Sequence, residues 1–336
     1  MIDQIYIEED LLKHPDFLRL RARFKNADVI PCRRYAEVFN QRSQNFRLQK
    51  KKPALILARK HANHVLAAPD GYGIGGHHNY YFSHMLNCLY DCRYCFLQGM
   101  YRSANYLLFV NYEDFMDAIR ATIQKHRGED VYFFSGYDCD SLALENLTLF
   151  AERFLPFFAT EPSGILELRT KSVCTKPFMS VDPIPNVVIA YSMSPAEIAA
   201  AHEHGAPTVQ ARIAAMRKLA QRGWKIGLRF DPVIYHPTFR ETYVSLFQDI
   251  FDHLSDEAIH SVSFGPMRFP KQMHDAIVKL YPREKLFASP FDLKNKMISY
   301  PSAIEDEMMG FLGETLRQYV APERFFFCLP EENKNG

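Results

Sequence analysis

The chain has 336 residues, 47% of them hydrophobic, with 40 Lys and Arg against 39 Asp and Glu. No apolar run is long enough to cross a bilayer as a helix, so a soluble globular chain of one large or two modest domains is expected. Seven cysteines, an odd number with three crowded together, argue against a disulfide framework and leave metal binding or catalysis.

The first residues, "MIDQIYIEEDLLKHPDF", lack the basic flank and apolar centre of a secretion signal, so a cytoplasmic protein is expected. Residues 1 to 60 hold fourteen Lys or Arg against seven Asp or Glu, so the rest of the chain is net acidic. The basic share peaks at "RLQKKK" (47–52) and "ARK" (58–60), beside the strand-like "PALILA". Such a run is either a solvated surface or a phosphate-contacting face, and DNA is the partner it suggests. Residues 1–78 read as a smaller basic module ending in "DGYGIGGHH". No strand leads clearly into that glycine run and no helix follows, so a hinge is expected rather than a phosphate loop.

From there short apolar runs alternate with helical stretches. Strands are predicted at 80–86, 131–135, 165–170, 186–193, 225–230 and 259–265, and helices at 113–126, 141–155, 208–222, 239–254 and 270–280, with a shorter one near 172–179. Strand and helix repeated about six times predict an α/β fold, a parallel sheet curled into a partial (βα)6 barrel over 79–285, followed by an extension over 286–336.

In such a barrel the active site gathers at the carboxyl ends of the strands. Those ends read "SGYDCD", "TKS", "SMSP", "RFDPV" and "GPMRF", so Gly136, Cys139, Asp140, Lys171, Ser192, Asp231 and Arg268 would converge on one mouth. Each also has an ordinary structural use: a surface lysine, a helix cap, a turn, half of an ion pair. Their shared position favours a site.

The first strand runs into "NCLYDCRYCFLQG", which places Cys88, Cys92 and Cys95 on one short loop. A structural zinc site wants four ligands, and His77, His78 and His84 are poorly spaced to complete one. Three thiolates suit a [4Fe–4S] cluster that keeps one iron free for a substrate or cofactor. With Tyr94 just before the last cysteine, C-x3-C-x2-C is the radical S-adenosylmethionine (SAM) signature. Structural zinc and inert buried cysteines are the competing readings.

The chain resembles the spore photoproduct lyases and the wider group of radical SAM proteins described as photolyase-like. The cysteine loop with "YCFLQ", Lys171 in "RTKS", Ser192 in "YSMS", "RIAAMRKLAQRGWKIGLRFDPVIY" and "SFGPMRFPKQMHDAIVKLYPREKL" carry the likeness. The resemblance implies reductive cleavage of SAM to a 5′-deoxyadenosyl radical, an external electron donor such as flavodoxin or ferredoxin, and action on a pyrimidine lesion in DNA. It implies SAM contacts from Tyr94, Lys171 and Ser192, with Gly136, Asp140 and Asp231 as further candidates and Cys139 and Tyr94 as catalytic ones.

Two departures stand out. The family's hydrogen-donating cysteine falls at Tyr137 here, with Cys139 two residues on, and its relay tyrosine falls at Phe96. Two residues move a side chain by up to ~7 Å, whereas hydrogen transfer needs atoms about 3–3.5 Å apart. A related lesion or modified base is therefore expected over efficient repair of spore photoproduct. A radical SAM enzyme on a nucleotide or peptide, and a non-catalytic iron–sulfur DNA-binding protein, are the alternatives.

Overall fold

In the computed structural model, which describes residues 2–69 and 71–328, the strand–helix alternation builds one curled sheet. Its parallel strands are His78–Tyr81, Val131–Ser135, Gly164–Thr170, Val187–Ser192, Lys225–Val233, Ile259–Pro266 and Phe325–Phe327, with Leu66–Ala67 antiparallel at the first edge. Parallel neighbours need crossovers, which Tyr112–Lys125, Phe150–Ala159, Val209–Gln221 and Phe239–Phe251 supply. The strand "VVIAYS" is buried at every position, as a sheet covered on both faces requires. The curl brings the two edges together, because a Cβ on Gly75 would stand 2.9 Å from the Phe326 ring. The predicted partial barrel is what the chain forms.

Several expectations change in detail. The run 80–86 is not one strand: His78–Tyr81 joins the curled sheet, while Met85–Leu86 pairs antiparallel with Tyr106–Phe109 in a second sheet. The chain crosses between them at Ser83, whose hydroxyl donates to Asp138, and at His84, which lies flat on Phe150 with centroids 3.8 Å apart. The predicted helix 141–155 is interrupted at Leu149, in the left-handed region at φ 52°. There the buried Glu145 carboxylate accepts from the Ala151 and Glu152 amides (3.0 and 3.2 Å) and starts Phe150–Ala159 afresh.

The boundary expected at residue 78 falls inside a strand. The N-terminal sheet of Gln4–Glu8, Asp28–Cys32 and Leu55–Ala58 is completed by Tyr106–Phe109 and Met85–Leu86, so the basic segment shares its sheet with the cysteine-loop region and is not a separate module. The glycine run is no hinge either. A Cβ on Gly76 would lie 2.2 Å from the Tyr132 ring, so close packing demands glycine there; the run's first residue, Asp70, lies outside the described residues. The extension from 286 contributes Met297–Ser299, which pairs antiparallel with Arg268–Pro270 on one side and with Asp292–Lys294 on the other, and the helix Ser302–Leu316. Its end, 329–336, lies outside the described residues.

The barrel interior holds charge as well as hydrocarbon. Glu167 accepts from Arg229 Nε and Nη2 (3.2 and 2.7 Å) and from Arg169 Nε (3.1 Å), with Glu167 and Arg229 both essentially inaccessible to water. Gly227 leaves the space: a Cβ there would sit 2.7 Å from Arg229 Nη2. The other Arg229 donors reach the Leu228 and Ser261 carbonyls and the Ser261 hydroxyl, so the desolvated guanidinium is fully bonded. Burial alone would raise the Glu167 pKa, but the two arginines outweigh it and hold it at about 2.

Removing one partner of a buried, bonded pair costs about 3–5 kcal/mol. Glu167→Gln should therefore unfold at clearly lower urea concentration than the native chain at pH 7. Because the folded pKa is depressed, this contribution is complete above the ordinary glutamate value and is lost as pH falls through about 2. The gap between the two proteins should close over that acid window. Equal stability at pH 7 would refute the assignment.

Candidate active site

After Met85–Leu86 the chain turns through Asn87, at φ 69°, a conformation asparagine tolerates better than most residues. Its buried amide donates to the Ser103 and Asn105 carbonyls (2.8 and 2.7 Å) and launches the cysteine loop. The loop is then gripped from three directions. Asp91–Cys92 pairs antiparallel with Glu203–His204, and the Arg93 amide donates to the His202 carbonyl at 2.8 Å. Lys50 Nζ donates to the Cys88 and Tyr90 carbonyls (2.8 and 3.0 Å). On the third side the Tyr281 hydroxyl donates to Gln98 Oε1 at 3.0 Å, and the Arg93 guanidinium lies 4.0 Å over the Tyr281 ring.

Cys88, Cys92 and Cys95 line one open-mouthed cavity. Tyr94, Gly136, Cys139, Asp140, Lys171, Ser192 and Asp231 line the same cavity, so every candidate named above except Arg268 meets there. Tyr137 and Phe96, at the two departures, line it as well, as do Tyr72, Tyr90 and Arg169, which sequence reasoning passed over.

The donor set suits an iron–sulfur cluster. All three thiols are free, and all three line the same cavity. Among the described residues no three His, Cys, Asp or Glu side chains are grouped to hold a single ion. A cube of four irons asks something different, since each thiolate takes its own iron. Burial pushes the Cys88 thiol up to about 12 and raises Cys92 and Cys95 too, so these protons leave only when a metal replaces them.

One buried carboxylate organises the cationic side. Glu203 accepts from the Tyr94 hydroxyl on one oxygen and from Arg212 Nη2 on the other. Arg212, itself fully buried, also donates to the Ser192 carbonyl at 3.1 Å and to Pro207. Lys171 Nζ lies 5.5 Å over the Tyr94 ring and forms no ion pair among the described residues. Burial works against its charge, but Glu203 together with Cys92 and Cys95 more than offsets that and raises its pKa, so the ammonium persists. Glu203 is depressed in turn: burial opposes its charge, and Lys171 and Arg212 more than compensate.

Asp140 and Asp231 are already engaged. Asp140 Oδ1 accepts from the Thr170 hydroxyl (2.6 Å) and the Leu142 and Ala143 amides (3.0 and 2.9 Å), while Oδ2 accepts from the Lys171 amide (2.6 Å). It ties the ends of two strands together. Gly136, at φ 87°, makes the turn beside it, where a Cβ would stand 2.7 Å from the Ser141 hydroxyl. Asp231 Oδ2 faces Arg169 Nη1 at 3.8 Å, and Arg169 stacks over Tyr72 at 4.8 Å. Cys139 is 5% exposed, and burial holds its pKa well up, so its thiol keeps its hydrogen at neutral pH. Tyr137 sits among rings, 4.5 Å from Tyr81, 5.5 Å from Phe96 and 5.7 Å from Tyr72.

The basic runs divide. Lys50 turns in to the cysteine loop and Lys60 lies 5.6 Å over Phe109 and Phe115, whereas Arg47, Lys51 and Lys52 remain exposed. Glu203 and Arg212 had no local signal as site residues, since the contact with Tyr94 spans 109 positions.

The family model described as spore photoproduct lyase matches residues 1–305. The spore photoproduct lyase of Geobacillus sp. (strain Y412MC61) is 26% identical over 245 residues, 71% of each chain. That of Bacillus subtilis (strain 168) is 24% identical over 290 residues, 84% of this chain and 83% of the relative. Among solved structures, a spore photoproduct lyase mutant with bound AdoMet and dinucleoside spore photoproduct superposes with a TM-score of 0.83 at 18% identity, covering 98% of both chains. A spore photoproduct lyase complexed with the dinucleoside lesion gives 0.82 over the same coverage; at that identity the likeness establishes the fold. Matched by the family model from its first residue to 305, and built on the same partial barrel, this chain belongs to the spore photoproduct lyase family.

Proposed function

We propose that this chain is a radical SAM enzyme acting on a pyrimidine lesion or modified base in DNA. The observation that carries the reading is one cavity lined by three free thiols from one loop, by the half-buried Lys171, which has no ion-pair partner among the described residues, and by the hydrogen-bearing thiol of Cys139. Cys88, Cys92 and Cys95 would hold a [4Fe–4S] cluster, which when bound supplies the electron that breaks the SAM sulfur–carbon bond. Lys171 offers a point charge to the SAM carboxylate or a bond to its ribose. Glu203 orients Tyr94 beneath that ammonium, and Arg212 holds the Ser192 carbonyl, so the SAM side of the cavity is set before ligand arrives.

Asp140 and Gly136 shape the turn that presents Cys139. Tyr72, Phe96 and Tyr137 give the cavity aromatic lining, which would limit water around a carbon radical formed there. A spore photoproduct lyase of the same fold was solved in complex with dinucleoside spore photoproduct, which supports a DNA lesion as the substrate class. Cys139, whose thiol stays protonated, is our candidate for returning hydrogen to the product radical.

Anaerobically reconstituted protein should bind one [4Fe–4S] cluster. Alanine at Cys88, Cys92 or Cys95 should abolish its absorbance, whereas alanine at Cys32 or Cys174 should not. A full cluster in Cys92→Ala, or stoichiometric zinc in the native protein, would refute the ligand set.

Lys171→Ala should weaken SAM binding about tenfold or more, since a charge-assisted bond contributes about 1.5–3 kcal/mol. Unchanged affinity by calorimetry would show that the lysine serves another purpose.

Product analysis with dinucleotide spore photoproduct, SAM and dithionite tests the chemistry. If Cys139 returns the hydrogen, Cys139→Ala should still release 5′-deoxyadenosine but divert the product radical into adducts with the reductant, whereas little intact thymine from the native protein itself would point to a related lesion or modified base. If that variant returns intact thymine as efficiently as the native protein, Cys139 is not the donor.

A further inference from the structure

We propose that the outer face of the short helix Phe46–Lys51, together with Leu89, is the docking surface for an acidic one-electron carrier protein. The inference rests on the radical SAM reading, because reductive cleavage needs an electron delivered to the cysteine loop. Substrate and SAM would occupy the cavity, so the carrier has to approach the loop from its other side.

That side is defined by the alternation of the loop itself. Cys88 and Tyr90 line the cavity, and Leu89 between them is 41% exposed. Lys50 Nζ bonds to the carbonyls of Cys88 and Tyr90, the two residues that flank Leu89, and so fastens the helix to the loop's outer side. Phe46 is buried beneath the helix, and Gln49 Oε1 accepts from the Ala104 amide at 2.9 Å. With Phe46, Gln49 and Lys50 committed inward, the residues left outside are Arg47, Leu48 and Lys51, with Leu48 62% exposed.

The helix thus turns Leu48, Arg47 and Lys51 outward, an apolar side chain between two uncommitted cations, and Lys50 tethers that helix to the turn carrying the exposed Leu89. Electron-transfer encounters use interfaces of this kind, small in area and steered by opposite charge. The complementary partner is a carrier with an acidic rim around its redox centre. A DNA backbone would use the cations but gain nothing from the leucines, and its lesion must enter the cavity from the opposite side of the loop. Electron transfer slows steeply with distance, and the main chain here runs directly from the patch to Cys88.

The test compares the native holoprotein with Arg47→Glu/Lys51→Glu and, separately, Leu48→Asp, using a bacterial flavodoxin as the probe and a fluorescent duplex as the DNA control. Flavodoxin binding to the native protein should weaken steeply with salt. Each variant should raise the flavodoxin Kd about tenfold or more and slow cluster reduction by flavodoxin to match, while dithionite-driven SAM cleavage and duplex affinity stay unchanged. Unchanged flavodoxin affinity in both variants overturns the proposal, as does a loss of duplex affinity with carrier binding intact, which would give the face to DNA. Failure of native protein to cleave SAM with dithionite would instead sink the radical reading, and the flavodoxin Kd would still report on this surface.

Discussion

Much of the site depends on the buried carboxylate of Glu203. Its backbone pairs with Cys92, which locks the middle of the cysteine loop to the segment after Ala196–His202. Its side chain takes the Tyr94 hydroxyl on one oxygen and the Arg212 guanidinium on the other. A carboxylate so deeply desolvated is tolerable only because both oxygens are bonded and two cations face it. The same field raises the Lys171 pKa against the opposing effect of burial. One group thus aligns the loop, the aromatic floor beneath Lys171 and the end of the Val187–Ser192 strand.

A second chain of charge runs up the barrel from Glu167. Arg229 closes it at the bottom, and Arg169 carries it upward to Asp231 and Tyr72 at the mouth. Arg169 and Lys171 belong to the same strand end, so the packed interior and the cavity wall share one register. Asp140 fastens that strand end to the neighbouring turn with four donors. Low dielectric strengthens each of these bonds and penalises any that is missing. The positions of the cavity groups are therefore set by buried polar networks rather than by loops alone.

The alternation of apolar runs and amphipathic helices was legible along the chain, because strands buried on both faces must be continuously apolar and their crossovers must be helical. It misled where one apolar run serves two sheets. "YYFSHML" reads as one strand-like run, yet its central polar pair leaves it, Ser83 for Asp138 and His84 for Phe150, contacts 55 and 66 positions away in numbering. The glycine run looked pliable for the same kind of reason. Its glycines answer to Tyr132 and Phe326, which only the closed curl of the sheet brings near.

By itself the sequence determined the chemistry available: three thiols at a fixed local spacing, a lysine, serine and cysteine at strand ends, and the periodicity that curls those ends into one mouth. These are local properties, carried by spacing and hydrophobic period. Tertiary structure decided how each group is used. Asp140 became a fastener of strand ends, Lys50 a clamp on the cysteine loop, and Glu203 with Arg212 a centre that no neighbouring residue announces. Such roles arise from desolvation and pairing across long separations, and those exist only once the barrel has closed.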